Sequence, residues 1–247
     1  MKTERNHVTE ANEDMRLHPS LEDVRAVIFD AGGTLVHPDW PRLGRLATEQ
    51  TGRSFSDEEL QEALKKGMLA VAERLQQGHP PSAEEQRRHW VFRRMYATLG
   101  LDAETCETLS TRIDAEHDAR HVWCGLDPDA PRVLGALKRR GRRTAVISNT
   151  EDGRLQELFE LVEIAGLFDF LIDSKIVGHR KPDAAIFHLA LSRLDIEPHE
   201  AVYVGDSYVH DALAAQAVGM HAILLDPLDL HPESVCPRIH ALSELIE

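Results

Sequence analysis

At Val24 the polarity pattern of the chain changes abruptly. Val24-Arg25-Ala26-Val27-Ile28-Phe29 is a short, nearly continuous apolar run that ends in Asp30-Ala31-Gly32-Gly33-Thr34. Such a run predicts a buried strand of the parallel kind feeding a glycine-rich turn. Residues 1–23, ahead of it, carry nine charges and only scattered apolar positions. They cannot bury enough surface to offset the entropy of ordering, and they predict a mobile tail. Between about Pro41 and His121 no run reads as a buried strand. Ser56-Asp57-Glu58-Glu59 and Ser82-Ala83-Glu84-Glu85 both have capping-box spacing ahead of helical apolar patterns. The first predicts a helix to about Gln77, stopped by Gly78 and Pro80-Pro81. The second predicts one that ends near Gly100, and a third covers roughly Ala103–Arg120.

After Trp123 the pattern alternates. Helices are predicted at Asp129–Arg140, Arg154–Ile164, Asp183–Leu194 and Val209–Val218. Strands are predicted at Thr144–Ile147, Phe168–Ile172, Ala201–Val204 and His221–Leu225. Short apolar strands alternating with helices mean βαβ units and a parallel sheet covered on both faces. The reading is therefore α/β, a Rossmann-like parallel sheet core formed by residues 24–39 and 122–247. An all-α module over 40–121 is inserted after its first strand.

Charge narrows the partners. With 28 Lys and Arg against 42 Asp and Glu, the chain carries −14. That field repels nucleic acid and anionic membranes, so neither is an expected partner. No apolar stretch approaches the roughly 18 residues of a spanning helix. The N-terminal residues lack the basic-then-apolar layout of a secretory leader. Cys106, Cys124 and Cys236 are odd in number and widely spaced, which fits reduced thiols in the cytoplasm better than a disulfide frame. Only six basic residues are lysines.

In open parallel α/β sheets, ligands bind beyond the carboxyl ends of the strands. Asp30, Ser148-Asn149, Asp173, Asp206 and Asp226 stand at those ends. For Asp173 and Asp226 taken singly, capping of the following helix is the expected role. Asp30, Ser148 and Asp206 together read as a site.

Four segments, in order, carry a resemblance to a known family: Phe29-Asp30-Ala31-Gly32-Gly33-Thr34-Leu35, Val146-Ile147-Ser148-Asn149, Lys181-Pro182-Asp183, and Val204-Gly205-Asp206-Ser207 with Asp211. The chain resembles the haloacid dehalogenase-like hydrolase superfamily, in the subgroup with a helical cap inserted after the first motif. The resemblance spans about Val24 to Asp226. It implies that Asp30 is a nucleophile that becomes an aspartyl phosphate. It further implies that Asp30, Asp206, Asp211 and the Gly32 carbonyl hold one Mg²⁺. Thr34, Ser148 and the N–H of Asn149 would bind the phosphoryl group near a helix start. Lys181 would neutralise the phosphate and hold Asp30 ionised, and the cap would set specificity. The implied activity is a Mg²⁺-dependent, phosphatase-like hydrolysis of small phosphorylated metabolites.

Gly32 departs from the pattern. Phosphatases of this superfamily usually carry a second aspartate there as general acid and then base, a contribution of about 10²–10⁴-fold. Good leaving groups, a borrowed acid such as His37 or a cap residue, or loss of turnover are the three outcomes. The alternatives are thus a catalytically weak or regulatory member of the same fold and, third, a dehalogenase. Dehalogenases also lack that aspartate, but they lack the metal pair kept here as Gly205-Asp206 as well.

Other signals carry less. His117 and His121 have zinc-pair spacing without an evident third ligand, and read as a solvated helix face. Arg87, Arg88, Arg93 and Arg94 read as a salt-bridged surface. Trp90, Val91, Met95 and Leu99 read as the core of the helical module. The oligomeric state is not written in the sequence.

Overall fold

The computed structural model describes residues 16–77, 79–80, 82–83 and 87–246. In chain order the elements are β1 (Ala26–Phe29), β2 (Val36–His37), α1 (Trp40–Thr51), α2 (Asp57–Gln76), α3 (Trp90–Thr98), α4 (Ala103–Ala119), β3 (Gly125–Leu126), α5 (Ala130–Arg139) and β4 (Arg143–Ser148). The chain continues with α6 (Leu155–Leu161), β5 (Phe170–Asp173), α7 (Ser174–Val177), α8 (Ala184–Leu194), β6 (Ala201–Gly205), α9 (Ala214–Ala217), β7 (His221–Leu225) and β8 (Arg238–Ile239). The main sheet is wholly parallel in the order β5-β4-β1-β6-β7-β8.

Both faces of this sheet are buried at its centre, which is why β1 is buried and apolar at every position. Side chains alternate across the sheet. Val27 and Phe29 of β1 join one core with Val146, Val202, Val204 and Ile223, roofed by α5 and α6. Ala26 and Ile28 join the other with Ala145, Ile147 and Tyr203, roofed by α8 and the segment after β6. A third core, built on Leu43, Leu46, Leu60, Phe92, Met95, Tyr96, Leu109 and Ile113, holds α1–α4 together. Met95 is part of that core, with Trp90, Val91 and Leu99 packed against it.

Helices α2 and α4 fall where the periodicity puts them, and the Ser56 box forms, each partner's amide meeting the other's side chain at 2.8 and 3.2 Å. Glu84 and Glu85 of the second box lie outside the described residues, as do residues 1–15. The rest of the segment expected to be a mobile tail is packed: Leu17 bridges Ile246 and Leu21 is fully buried. Helix α1 is absent from the sequence reading. Its signals are Asp39, which accepts the Arg42 amide at 3.1 Å, Pro41 in the first turn, and a left-handed Gly52 at its end. The helix expected from Val209 opens as a wide π-turn over Tyr208–Leu213, with the Ala212 amide donating five residues back to Ser207. Ribbon β2–β3 and strand β8 have two residues each, too short for a periodic signal. No helix among the described residues is long and apolar enough to cross a membrane.

The antiparallel ribbon of β2 and β3 joins the strands on either side of the helical segment (Val36 opposite Leu126). Arg42 of α1 clasps the same junction. Its guanidinium, 8% exposed, donates to the carbonyls of Arg120 and His121 at 2.9 and 2.7 Å. Arg42→Met would keep the aliphatic stem but strand two carbonyls. We expect a loss of about 2–4 kcal/mol, the cost of leaving such groups unpaired. Urea denaturation of both proteins measures it.

Candidate active site

The three central strands carry the polar residues that converge. Asp30 follows β1, Ser148 ends β4 and Asp206 follows β6, and these strands are neighbours in the sheet. The Asp30 amide donates to Val204 O at 2.8 Å, so the two aspartate loops leave the sheet side by side. Aspartates on the flanking strands do other work. Asp173 accepts the Lys175 and Leu155 amides at 2.9 and 3.1 Å, and Asp226 accepts those of Leu230 and His231, both at 2.9 Å. Asp173 caps α7, as expected, whereas no helix directly follows Asp226, which instead pins the loop after β7.

Lys181 is buried at the centre. Its ammonium donates to Asp30 Oδ1 and Asp211 Oδ1, both at 2.6 Å, and to the Tyr203 hydroxyl at 2.9 Å. Tyr203 in turn donates to Ile147 O at 3.0 Å. Asn149 fixes the lysine's backbone from both sides. Its Oδ1 accepts the Lys181 amide at 2.9 Å and its Nδ2 donates to the Lys181 carbonyl at 3.0 Å. The Asn149 side chain therefore positions Lys181, a role the sequence reading did not give it. Tyr203 was also missed, although a lone tyrosine inside a buried strand needs a polar partner.

Asp30, Asp206 and Asp211 each offer a carboxylate oxygen, all within 4.8 Å of one another. Asp211 has both oxygens engaged, Oδ1 by Lys181 and Oδ2 by the Ser207 amide at 2.9 Å. Asp206 is more open, with 24% of its side chain exposed. Two glycines make room for this crowd. A Cβ on Gly33, whose φ is +86°, would stand 2.4 Å from Asp206 Oδ2, and one on Gly205 would stand 2.5 Å from Asp211. The donor set is all oxygen and short of positive charge, which suits a hard cation such as Mg²⁺.

That shortage is visible in the electrostatics. Burial pushes the Asp30 carboxyl up from 3.8 to about 7, with Asp211 and Asp206 adding to the rise against the opposing pull of Lys181. Burial likewise raises Asp206, against the pull of Lys65. Burial works to lower the Lys181 ammonium, but Asp211 and Asp30 outweigh it and hold it well above its ordinary range.

Other expectations meet different geometry. Ser148 is 7% exposed at the end of β4, but α6 starts only at Leu155, so no helix start lies at Ser148-Asn149. Thr34 is fully buried under the turn with Oγ1 unpaired, closed to a substrate as folded. Gly32 is not left-handed; the residue that is, is Gly33. A Cβ on Gly32 would lie 3.3 Å from the Trp123 ring. His37, the candidate stand-in acid, sits with Nε2 3.4 Å from Asp127. The arginine surface is salt-bridged as expected, Arg87 and Arg93 to Glu107 and Arg88 to Asp118. His117 and His121 are no solvated face: they are 2% and 8% exposed. His117 pairs with Asp152 at 2.7 Å and takes the Val122 amide at 3.4 Å, while His121 takes the Trp123 amide at 3.2 Å. Asp152 does complete a three-donor group there, in which backbone N–H groups of Val122 and Trp123 meet the two Nδ1 atoms.

The model of the haloacid dehalogenase-like hydrolase family matches residues 24–219. The chain belongs to that family. The "Haloacid dehalogenase-like hydrolase domain-containing protein 3" of Xenopus laevis is 40% identical over 144 residues, 57% of this chain and 58% of that protein. The match thus spans under two thirds of that relative's length. The ribulose-1,5-bisphosphate 5-phosphatase of Halopiger xanaduensis is 28% identical over 207 residues, 82% of this chain and 84% of its own. The L-2-haloacid dehalogenase of Xanthobacter autotrophicus superposes with a TM-score of 0.58 at 19% identity, over 90% of this chain and 96% of the other. That likeness is one of fold, and the haloacid dehalogenase-like fold serves carbon–halogen as well as phosphoryl chemistry. This haloacid dehalogenase-like hydrolase therefore has to be read from its own site.

One consequence concerns stability. A carboxyl whose value rises on folding binds a proton more readily in the folded state, so stability falls as pH climbs through the interval. For Asp30 that interval runs from about 4 to about 7. In magnesium-free buffer Asp30→Asn should gain on the parent across this interval, by roughly 2–4 kcal/mol in total. Melting curves at stepped pH test it; a constant difference between the two proteins contradicts it.

Proposed function

We propose that this hydrolase is a magnesium-dependent phosphatase of small phosphorylated metabolites, with Asp30 as nucleophile. The observation that carries the reading is the grouping of Asp30, Asp206 and Asp211 around a single buried ammonium at the carboxyl edge of the sheet. An anionic nucleophile meets a phosphate dianion only where charge is supplied. Asp30, Asp206 and the Gly32 carbonyl would hold Mg²⁺, with Asp211 behind them. The ion, when bound, would supply the charge that lets a carboxylate and a phosphoryl group approach.

Lys181 draws the Asp30 carboxyl down against burial and aims it through its 2.6 Å contact, and the bound ion would complete its ionisation. An Asp30 oxygen attacks phosphorus, the bond to the leaving oxygen breaks, and the leaving group departs with the electron pair. Water then attacks the aspartyl phosphate at phosphorus, releasing phosphate and restoring Asp30. Ser148 Oγ and the Asn149 amide are assigned to a non-bridging phosphoryl oxygen. Thr34 is assigned to the turn beneath. The helical segment 40–121 acts as the cap that excludes bulk water. The phosphatase names among the relatives support this reading.

A screen of phosphorylated metabolites and acyl phosphates, scored for released phosphate with and without Mg²⁺, is the direct test. Asp30→Asn should abolish release while the protein stays folded. Millimolar Mg²⁺ should raise the melting temperature of the parent by linkage, and Asp206→Ala should remove most of that shift. Metal-independent melting together with metal-independent turnover would overturn the proposal.

Without an acid at residue 32, acyl and aryl phosphates should be cleaved far faster than alkyl phosphates. A Cβ at residue 32 would press on the Trp123 ring at 3.3 Å, so an added side chain needs that ring to give. Gly32→Asp with Trp123→Leu should therefore raise alkyl phosphate turnover by about 10²–10⁴-fold, the usual worth of a general acid. The single Gly32→Asp change should yield less. Fast alkyl cleavage by the parent with no gain in the double variant would mean that another residue, His37 first, supplies the proton.

A further inference from the structure

Helix α2, in the helical segment, directs a cation into the carboxylate group. Lys65 Nζ lies 3.7 Å from Asp206 Oδ2, with 24% of the lysine side chain exposed. Lys66, its neighbour, turns away and pairs with Glu62 one turn back at 2.7 Å on an exposed face. At 3.7 Å the Lys65 ammonium is within ion-pair range of Asp206 but too far for a hydrogen bond, so its donors are left for a closer acceptor. Lys181 differs in kind. It is 3% exposed, and all three of its donors are used by Asp30, Asp211 and Tyr203.

The site thus has two cations with separate stations. One is sealed in the floor beside the nucleophile. The other stands on α2, 3.7 Å from Asp206 Oδ2. A cation held by the carboxylates would relieve Asp206 of its need for Lys65 and would leave the lysine's charge to another anion. Lys65 comes from the inserted segment, so it would meet a part of the substrate beyond the phosphoryl group.

We propose that Lys65 binds a second anionic group on the substrate, so that the preferred substrates are compact phosphorylated compounds bearing a further carboxylate or phosphate. This rests on the phosphoryl-site reading above. The reach of one lysine side chain keeps the second anion close to the first, which favours short substrates over large ones. A salt bridge that merely fastens α2 to the sheet would stabilise the protein without sorting ligands by charge.

Non-hydrolysable phosphonates separate these cases without any turnover. Methylphosphonate has one anionic group, phosphonoacetate adds a carboxylate, and ethane-1,2-bisphosphonate adds a second phosphonate. Calorimetric titration in Mg²⁺ should show one or both of the doubly functional ligands binding about 10–100-fold more tightly than methylphosphonate. That is the worth of a charge-assisted hydrogen bond. Which of the two gains more identifies the second group. Lys65→Met, which keeps the apolar stem, should reduce the preference to within a few-fold, and Lys65→Arg should retain a measurable part of it. In steady-state assays the same Met change should raise KM for substrates with a second anion at least tenfold more than for an aryl phosphate.

Equal affinity of the parent for all three ligands, or an undiminished preference in a folded Lys65→Met protein, overturns the proposal. Failure of the phosphoryl-site reading looks different: none of the three ligands would bind in Mg²⁺.

Discussion

The buried ammonium of Lys181 organises the rest of the site. Two carboxylates and a tyrosine hydroxyl share its three donors, and each comes from a different stretch of chain. Removing the lysine would leave like charges side by side in a desolvated floor, a far larger penalty than losing one surface pair. Its position is over-determined. Asn149 grips its backbone, Tyr203 ties its tip to the β4 carbonyl of Ile147, and the Asp183 that follows caps α8. This rigidity keeps a charge-deficient site from relaxing into a set of solvated carboxylates.

Much of this was legible in the sequence for a physical reason. A strand buried on both faces must be apolar throughout, so the polar residue that ends it stands out. Asp30, Ser148 and Asp206 were visible in that way, and so was the contrast with Asp173, which caps α7, while Asp226 holds a loop and not the expected helix. Asp211 and Lys181 were reached through motif spacing. Lys65 and Tyr203 were not reached, because nothing local distinguishes a helix lysine that faces a site from one that faces water. His117 and His121 failed for the converse reason. Their four-residue spacing is real, but α4 has a weak apolar stripe, and burial there is imposed by the return of the chain beneath them. Helix α1 has no capping box: its start rests on the Asp39 cap and on Pro41 in the first turn.

The turn after β1 shows how two glycines with the same side chain differ in meaning. Gly33 is required by its left-handed backbone and by the Asp206 carboxylate pressed against it. Gly32 is under neither constraint; the Trp123 ring is what its missing side chain faces. The departure from the family pattern at residue 32 is thus a matter of side-chain space, shared between the first motif and the linker that returns from α4.

The distances along the chain between partners have a consequence for how the enzyme comes into being. Asp30 and Lys181 are 151 residues apart, and Lys181 and Asp211 are 30 apart. The helical segment lies inside the longer interval, so a closed loop containing a whole packed unit must form before the ammonium meets Asp30. Such non-local pairing is slow, and a parallel sheet adds to the delay. A nascent or partly folded chain would hold unpaired aspartates and no floor, and so could neither bind nor cleave a substrate. Acquisition of the site is thereby tied to the last steps of assembly rather than to any one element.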